Sequence, residues 1–139
     1  MSLVRILVVD DVPSWRKFVK FVLAGESTFK VLAEAANGPK AVEMALRFNP
    51  AVVLIDVGLP EVSGIEVARQ IRMGAPETKV IFLSEQSEPE VVAAAMHCGA
   101  CGYVLKYEAA RDLVPSINAA LRNKTFVSRG LLPPTSSIS

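Results

Sequence analysis

Five polar residues stand where apolar runs stop. Asp10 and Asp11 follow Ile6–Val9, Asp56 follows Val52–Ile55, Ser84 follows Val80–Leu83, and Lys106 follows Tyr103–Leu105. If those runs are strands of one parallel sheet, their C-termini share an edge. That edge then collects three carboxylates, a hydroxyl and an ammonium, which is the equipment for a divalent cation and a phosphoryl group. Mg2+ takes oxygen ligands, typically one or two carboxylates with water and phosphate oxygens. Asp11 and Asp56 are expected to ligate it directly and Asp10 through water, with the backbone carbonyl of Gly58 adding a ligand. The Asp56 carboxylate is also a candidate nucleophile toward phosphorus, giving an acyl phosphate. Lys106 and Mg2+ would offset charge on the transferred oxygens, and the Ser84 hydroxyl would donate to one of them.

Each such residue alone has an ordinary explanation. An acid after a strand is more often a cap or loop carboxylate, and a lone lysine is a solvated surface group. Their order along the chain is what favours a site.

The segments that must position these groups alternate in period. Strand-length apolar runs near Arg5–Asp10, Lys30–Ala35, Ala51–Asp56, Lys79–Ser84 and Gly102–Leu105 are separated by stretches of helical period. Helices are predicted near Ser14–Gly25, Pro39–Phe48, Gly64–Met73, Glu88–Cys98 and Asp112–Asn123. The Val/Ile/Leu runs lack polar alternation, as expected of strands covered on both faces. The pattern is that of an α/β fold with a parallel sheet. Ser87 and Glu90 spell a capping box, and Gly99 is a natural left-handed stop for the helix before it. Pro115 inside a helix would cost about 3 kcal/mol, so the last helix is expected to start late, with Asp112 as its N-cap, or to kink. After Asn123 the chain turns polar and then proline-rich, which reads as a tail or linker start over 124–139, following a domain over 1–123.

These residues together resemble the receiver domain of two-component response regulators, from about Leu3 to Asn123. The resemblance rests on Asp10-Asp11, on Asp56 followed by Leu59-Pro60 and Ser63-Gly64, on Ser84, and on Gly99-Ala-Cys-Gly-Tyr-Val-Leu-Lys106. That last string is closest to the subfamily with helix-turn-helix output domains. The resemblance implies a flavodoxin-like (βα)5 three-layer sandwich with strand order 2-1-3-4-5. It implies Mg2+-dependent phosphorylation of Asp56 by a sensor histidine kinase. It further implies sensing by Ser84 and Lys106, inward rotation of Tyr103 as an aromatic switch, and relay through the helix 4–strand 5–helix 5 face. The physics would be a two-state equilibrium biased by added charge; moving it from 1:99 to 99:1 takes about 5.5 kcal/mol.

The sequence also departs from the family. Glu85 follows the switch hydroxyl where relatives carry a small or apolar residue. Held about 6 Å from a phosphoryl group, its carboxylate would cost roughly 3 kcal/mol per charge pair. Gln86 and Gly58 occupy positions that tune dephosphorylation in the family, so Glu85 and Gln86 are read as rate-modulating. Tyr107 replaces the proline that often follows the lysine.

Other motifs carry less. Cys98 and Cys101 form a C-x-x-C that closes a helix instead of opening one, so a structural role is expected. His97 is read as a surface residue, and Trp15 as core or rim of the first helix, within reach of the metal as a reporter. Two rivals stay open here: a degenerate receiver acting through protein contact without phosphorylation, and a phosphohydrolase. Asp56-Val57-Gly58 disfavours the latter, since the position two residues on would normally supply a second acid.

The 139 residues are 51% hydrophobic with a formal net charge of +1, which excludes a disordered chain and gives no global field for nucleic acid. No direct nucleic-acid binding, membrane span or secretory signal is expected, and the cysteine usage fits a reducing cytoplasm. The segment after the last helix is too short for a DNA-binding output domain, so the chain is read as a stand-alone receiver or as part of a longer regulator. Self-association through the last helices stays open.

Overall fold

A computed structural model describes residues 2–131. The elements alternate as β1 (Val4–Val9), α1 (Pro13–Leu23), β2 (Phe29–Ala35), α2 (Gly38–Phe48), β3 (Val52–Ile55), α3 (Gly64–Gly74), β4 (Lys79–Ser84), α4 (Pro89–His97), β5 (Gly102–Leu105), α5 (Ala109–Leu121) and a short β6 (Phe126–Val127). All strand pairs are parallel, and the order is β2-β1-β3-β4-β5-β6. The expected 2-1-3-4-5 order is therefore present, with one strand added at the β5 edge.

Alternate residues of the central strands feed two cores. Leu7, Val9, Val53, Ile55, Val80 and Phe82 face Ala41 and Ala45 of α2, Val67, Ala68 and Ile71 of α3 and Ala95 of α4. Ile6, Val8, Val52, Leu54, Ile81 and Leu83 face Val19 and Leu23 of α1 and Leu113, Ile117 and Ala120 of α5. This two-sided burial explains why the strands read as continuous apolar runs.

Three local expectations are corrected. The Ser87/Glu90 capping box does not form: Glu88 is the N-cap position of α4 and makes no side-chain cap bond. Pro89 takes the first helical position and holds Glu88 extended, which moves the start one residue past Ser87. Helix α5 begins at Ala109, after a 3-10 turn over Lys106–Glu108, so Asp112 lies in its first turn and Pro115 inside it. Burial of Ala109 on the same face as Leu113 and Ile117 draws the earlier turn into the helix, outweighing the proline. Finally, Phe126–Val127 form a strand where the sequence reads as tail; Thr125-Phe126-Val127 is a short β-prone signal. The proline-rich stretch from 132 lies outside the described residues. The stop at Gly99 is as expected, at φ 98°.

Candidate functional site

The chain order reverses between β1 and β3, and the first acids sit beyond those strand ends. Backbone bonds carry the sheet ladder one residue past each strand: the Asp10 N–H donates to Ala35 O at 3.1 Å and the Asp56 N–H to Val9 O at 3.0 Å. Both carboxylates are thus held by the last rungs of the sheet. Asp10, Asp11 and Asp56 each offer an oxygen, all within 4.8 Å of one another. Among the described residues this is the one such cluster of acids, histidines or cysteines.

Lys106 closes the cluster from the end of β5. Its Nζ lies 2.7 Å from Asp10 Oδ2 and 3.2 Å from Asp56 Oδ2, with only 2% of its side chain exposed. The other oxygens are also engaged: Val12 N–H donates to Asp10 Oδ1 at 2.9 Å and Gly58 N–H to Asp56 Oδ1 at 3.1 Å. Burial pushes the Asp10 carboxyl up, with the Asp56 charge adding to the rise, against the lowering by Lys106 and the Val12 N–H. Burial works to lower the Lys106 ammonium, yet the bond to Asp10 and the charges of Asp56 and Asp10 outweigh it and raise it overall. Lys106 stays a cation. Asp11 is different: it is exposed, and no ion pair or hydrogen bond engages its carboxylate among the described residues. Asp11 is therefore the acid most open to an incoming cation.

The donor set fits a hard divalent cation. Three carboxylates share one ammonium, so two negative charges stay uncompensated within a few ångströms. Gly58 sits against this cluster: a Cβ there would lie 3.9 Å from both Asp56 side-chain oxygens and 3.4 Å from Gln86 Nε2.

Of the remaining predicted residues, Ser84, Gln86 and Tyr103 are joined by hydrogen bonds. Ser84 is buried at the end of β4, and its Oγ accepts the Gln86 N–H at 3.1 Å. Tyr103 is 0% exposed, and its hydroxyl donates to the Gln86 carbonyl at 2.7 Å. Gln86 thus links the hydroxyl and the aromatic, a relation that spacing alone did not reveal. The inward position that the family resemblance attached to phosphorylation is the one Tyr103 already occupies. Glu85 is exposed, so solvent takes up its charge.

Several contacts around the site were not foreseen. The Trp15 ring lies 4.8 Å from Lys106 Nζ and packs edge-on to Phe18 at 5.6 Å between centroids. Arg16 donates to the Asp10 carbonyl at 2.6 Å and pairs with Glu34 at 3.0 Å, where Lys20 joins at 2.7 Å. Trp15, one turn after Asp11, was expected within reach of the site; Arg16 beside it was the signal left unused. The two cysteines are free; Cys98 packs on the α2–α4 side of the sheet and Cys101 on the α1–α5 side. They point apart, in line with a structural role.

An acidic cleft closed by a lysine lies at the switch point of a doubly wound parallel sheet. Residues 6–118 match the response regulator receiver domain, and the chain belongs to that family. It is 32% identical over 124 residues to the transcriptional regulatory protein DegU of Brevibacillus brevis, across 89% of this chain and 52% of DegU. It is 30% identical over 128 residues to the nitrate/nitrite response regulator protein NarL of Escherichia coli (strain K12), across 92% of this chain and 59% of NarL. The chain therefore spans a little over half the length of these curated relatives. Among solved structures it is similar to a LuxR-family two-component response regulator from Aurantimonas sp. SI85-9A1, with TM-score 0.89 and 29% identity over 94% of this chain and 93% of that one. It is also similar to the signal receiver domain of NarL from Mycobacterium tuberculosis, with TM-score 0.84 and 30% identity over 89% of this chain and 100% of that one. No helix among the described residues is long and apolar enough to cross a membrane.

Proposed function

We propose that this domain is a phosphorylation-dependent switch in which Asp56 accepts a phosphoryl group from a sensor histidine kinase. The observation that carries this reading is the convergence of the Asp10, Asp11 and Asp56 oxygens within 4.8 Å, with Lys106 on two of them. In the transfer, a carboxylate oxygen of Asp56 forms a P–O bond as the P–N bond of the phosphohistidine breaks. The leaving imidazole nitrogen keeps the electron pair, and Asp56 becomes an acyl phosphate. Asp11, Asp56 and the Gly58 carbonyl, with Asp10 through water, would hold Mg2+, which supplies charge neutralisation to the phosphoryl oxygens when bound. Lys106 provides a fixed positive charge beside them, and the Ser84 hydroxyl turns from its local bond to donate to the group. Gln86 couples that hydroxyl to Tyr103, and the change spreads to the α4–β5–α5 face.

By analogy with the longer regulators it resembles, the receiver unit over 1–123 passes through 124–139 toward an output function, with a second copy of the chain as a further partner. Its working compartment is the cytoplasm, where such a kinase would present its phosphohistidine. Incubation with Mg2+ and acetyl phosphate, followed by intact-mass measurement, tests the reading. A single phosphoryl adduct, lost in Asp56→Asn, is expected. Absence of an adduct would leave a receiver fold that works through protein contact alone.

A further inference from the structure

Resting on that reading, we propose that Ser128 is a positioning residue for the sensing strand and that Phe126–Leu131 is a strap whose hold on β5 follows the phosphorylation state of Asp56.

The strap takes up the free edge of β5. Phe126 N–H donates to Cys101 O at 3.0 Å and Ser128 N–H to Tyr103 O at 3.0 Å. Ser128 Oγ accepts the Leu105 N–H at 3.0 Å and donates to Asp112 Oδ2 at 2.8 Å. The edge groups of Cys101, Tyr103 and Leu105 are thereby all satisfied by one segment. Ser128 is 0% exposed and Asp112 5%, so this junction is sealed from water. The other Asp112 oxygen accepts from Arg111 Nε at 2.8 Å. Beyond the junction, Gly130 N–H donates to Glu108 Oε1 at 3.3 Å.

The strap also crosses the sheet edge. Phe126 packs on the α1–α5 core and Leu131 on the α2–α4 core. It therefore lies across the same β5 edge through which a receiver would relay its state. A partner that needed that edge would have to displace it.

The connection to the phosphorylation site is short. Leu105, whose N–H Ser128 holds, immediately precedes Lys106, whose Nζ bridges Asp10 and Asp56. Phosphorylation turns the Asp56 carboxylate, of charge −1, into an acyl phosphate of about −2, so the charge next to that ammonium becomes more negative by about 1. Lys106 is then held more firmly, the end of β5 loses freedom, and the bond to Ser128 is stabilised with it. Linkage makes the effect reciprocal: whatever fastens the strap stabilises the phosphorylated state. The strap over Phe126–Leu131 therefore carries the state of Asp56 to the outer edge of β5.

The test is amide hydrogen exchange on the full chain with Mg2+, with and without acetyl phosphate, alongside intact mass. In wild type the adduct is expected to raise protection at Leu105, Phe126 and Ser128 by about tenfold, the scale of one or two hydrogen bonds. Asp56→Asn should show no change. Ser128→Ala should lose the response and reduce the adduct at steady state several-fold. Asp112→Asn, which keeps an acceptor for the Ser128 hydroxyl, should retain the response and serves if Ser128→Ala does not fold. An adduct with unchanged protection at the three amides would overturn the strap coupling and leave the phosphoacceptor reading intact. No adduct at all would overturn both.

Discussion

The Trp15 ring centroid lies 4.8 Å from the Lys106 ammonium, which also bridges the carboxylates of Asp10 and Asp56. An aromatic face attracts a cation and keeps water from it, an effect worth about 0.5–2 kcal/mol. Because Trp15 is the chain's single tryptophan, its emission reports on Lys106. Titration with Mg2+ is expected to give a saturable change in fluorescence, abolished in Asp11→Asn. A flat titration of the wild type would argue against cation binding beside Lys106.

Removing the lysine should cost more than removing the ring. Lys106→Ala leaves Asp10 and Asp56 buried without their shared cation, and breaking a buried pair from one side costs about 3–5 kcal/mol. Protonation of Asp10 would absorb part of that. Urea denaturation should show the loss, and Mg2+ should recover more stability in Lys106→Ala than in wild type, because the variant carries the larger uncompensated charge.

Gly64 at the start of α3 has no room for a side chain. A Cβ would lie 2.0 Å from the Asp56 carbonyl oxygen and 2.9 Å from Val57 Cα. Backbone cannot step aside as a flexible side chain can, so Gly64→Ala must move the β3–α3 loop that carries Asp56. The expected cost is about 1–3 kcal/mol, with the acetyl phosphate adduct reduced far more than in a variant of equal stability elsewhere. Comparing adduct yield at matched stability separates the two effects.

Acid should weaken the junction at Ser128. The Asp112 carboxyl sits below its ordinary value of 3.8, chiefly through its bond to Arg111, aided by Ser128 against the opposing effect of burial. A lowered native value means that its stabilisation is complete above the unfolded value and disappears as pH falls through the native one. The stability difference between wild type and Asp112→Asn should therefore be level from pH 7 to about 5 and shrink below about 4. Denaturant midpoints across that range would reveal it; a difference independent of pH would assign the interaction to shape instead of charge.

Pro115 is a cost the fold tolerates. Inside α5 it cannot donate to the Arg111 carbonyl, and it is exposed, so no packing depends on its ring. Pro115→Ala is expected to stabilise the domain by about 1 kcal/mol or more and raise the melting temperature by several degrees. A loss of stability would show that the proline shapes α5 for its seat on the sheet.

Much of this protein was legible in one dimension. Two-sided burial removes polar alternation, so the four central strands declared themselves, and parallel strands must deliver Asp10, Asp11, Asp56, Ser84 and Lys106 to one edge. Rules of that kind are local and repeat along the chain. What tertiary structure alone decided were pairings between distant segments and the outcome of competing local preferences. Trp15 meets Lys106 because α1 and the end of β5 meet above the sheet. Gln86 joins Ser84 to Tyr103 because β4 and β5 are adjacent. Helix α5 starts at Ala109 because burying that turn outweighs a proline, and Pro89 overrides the cap that Ser87 offered. Phe126–Val127 become a strand because the edge of β5 has unpaired backbone groups to fill, a need that belongs to the assembled sheet and is written nowhere in the segment itself.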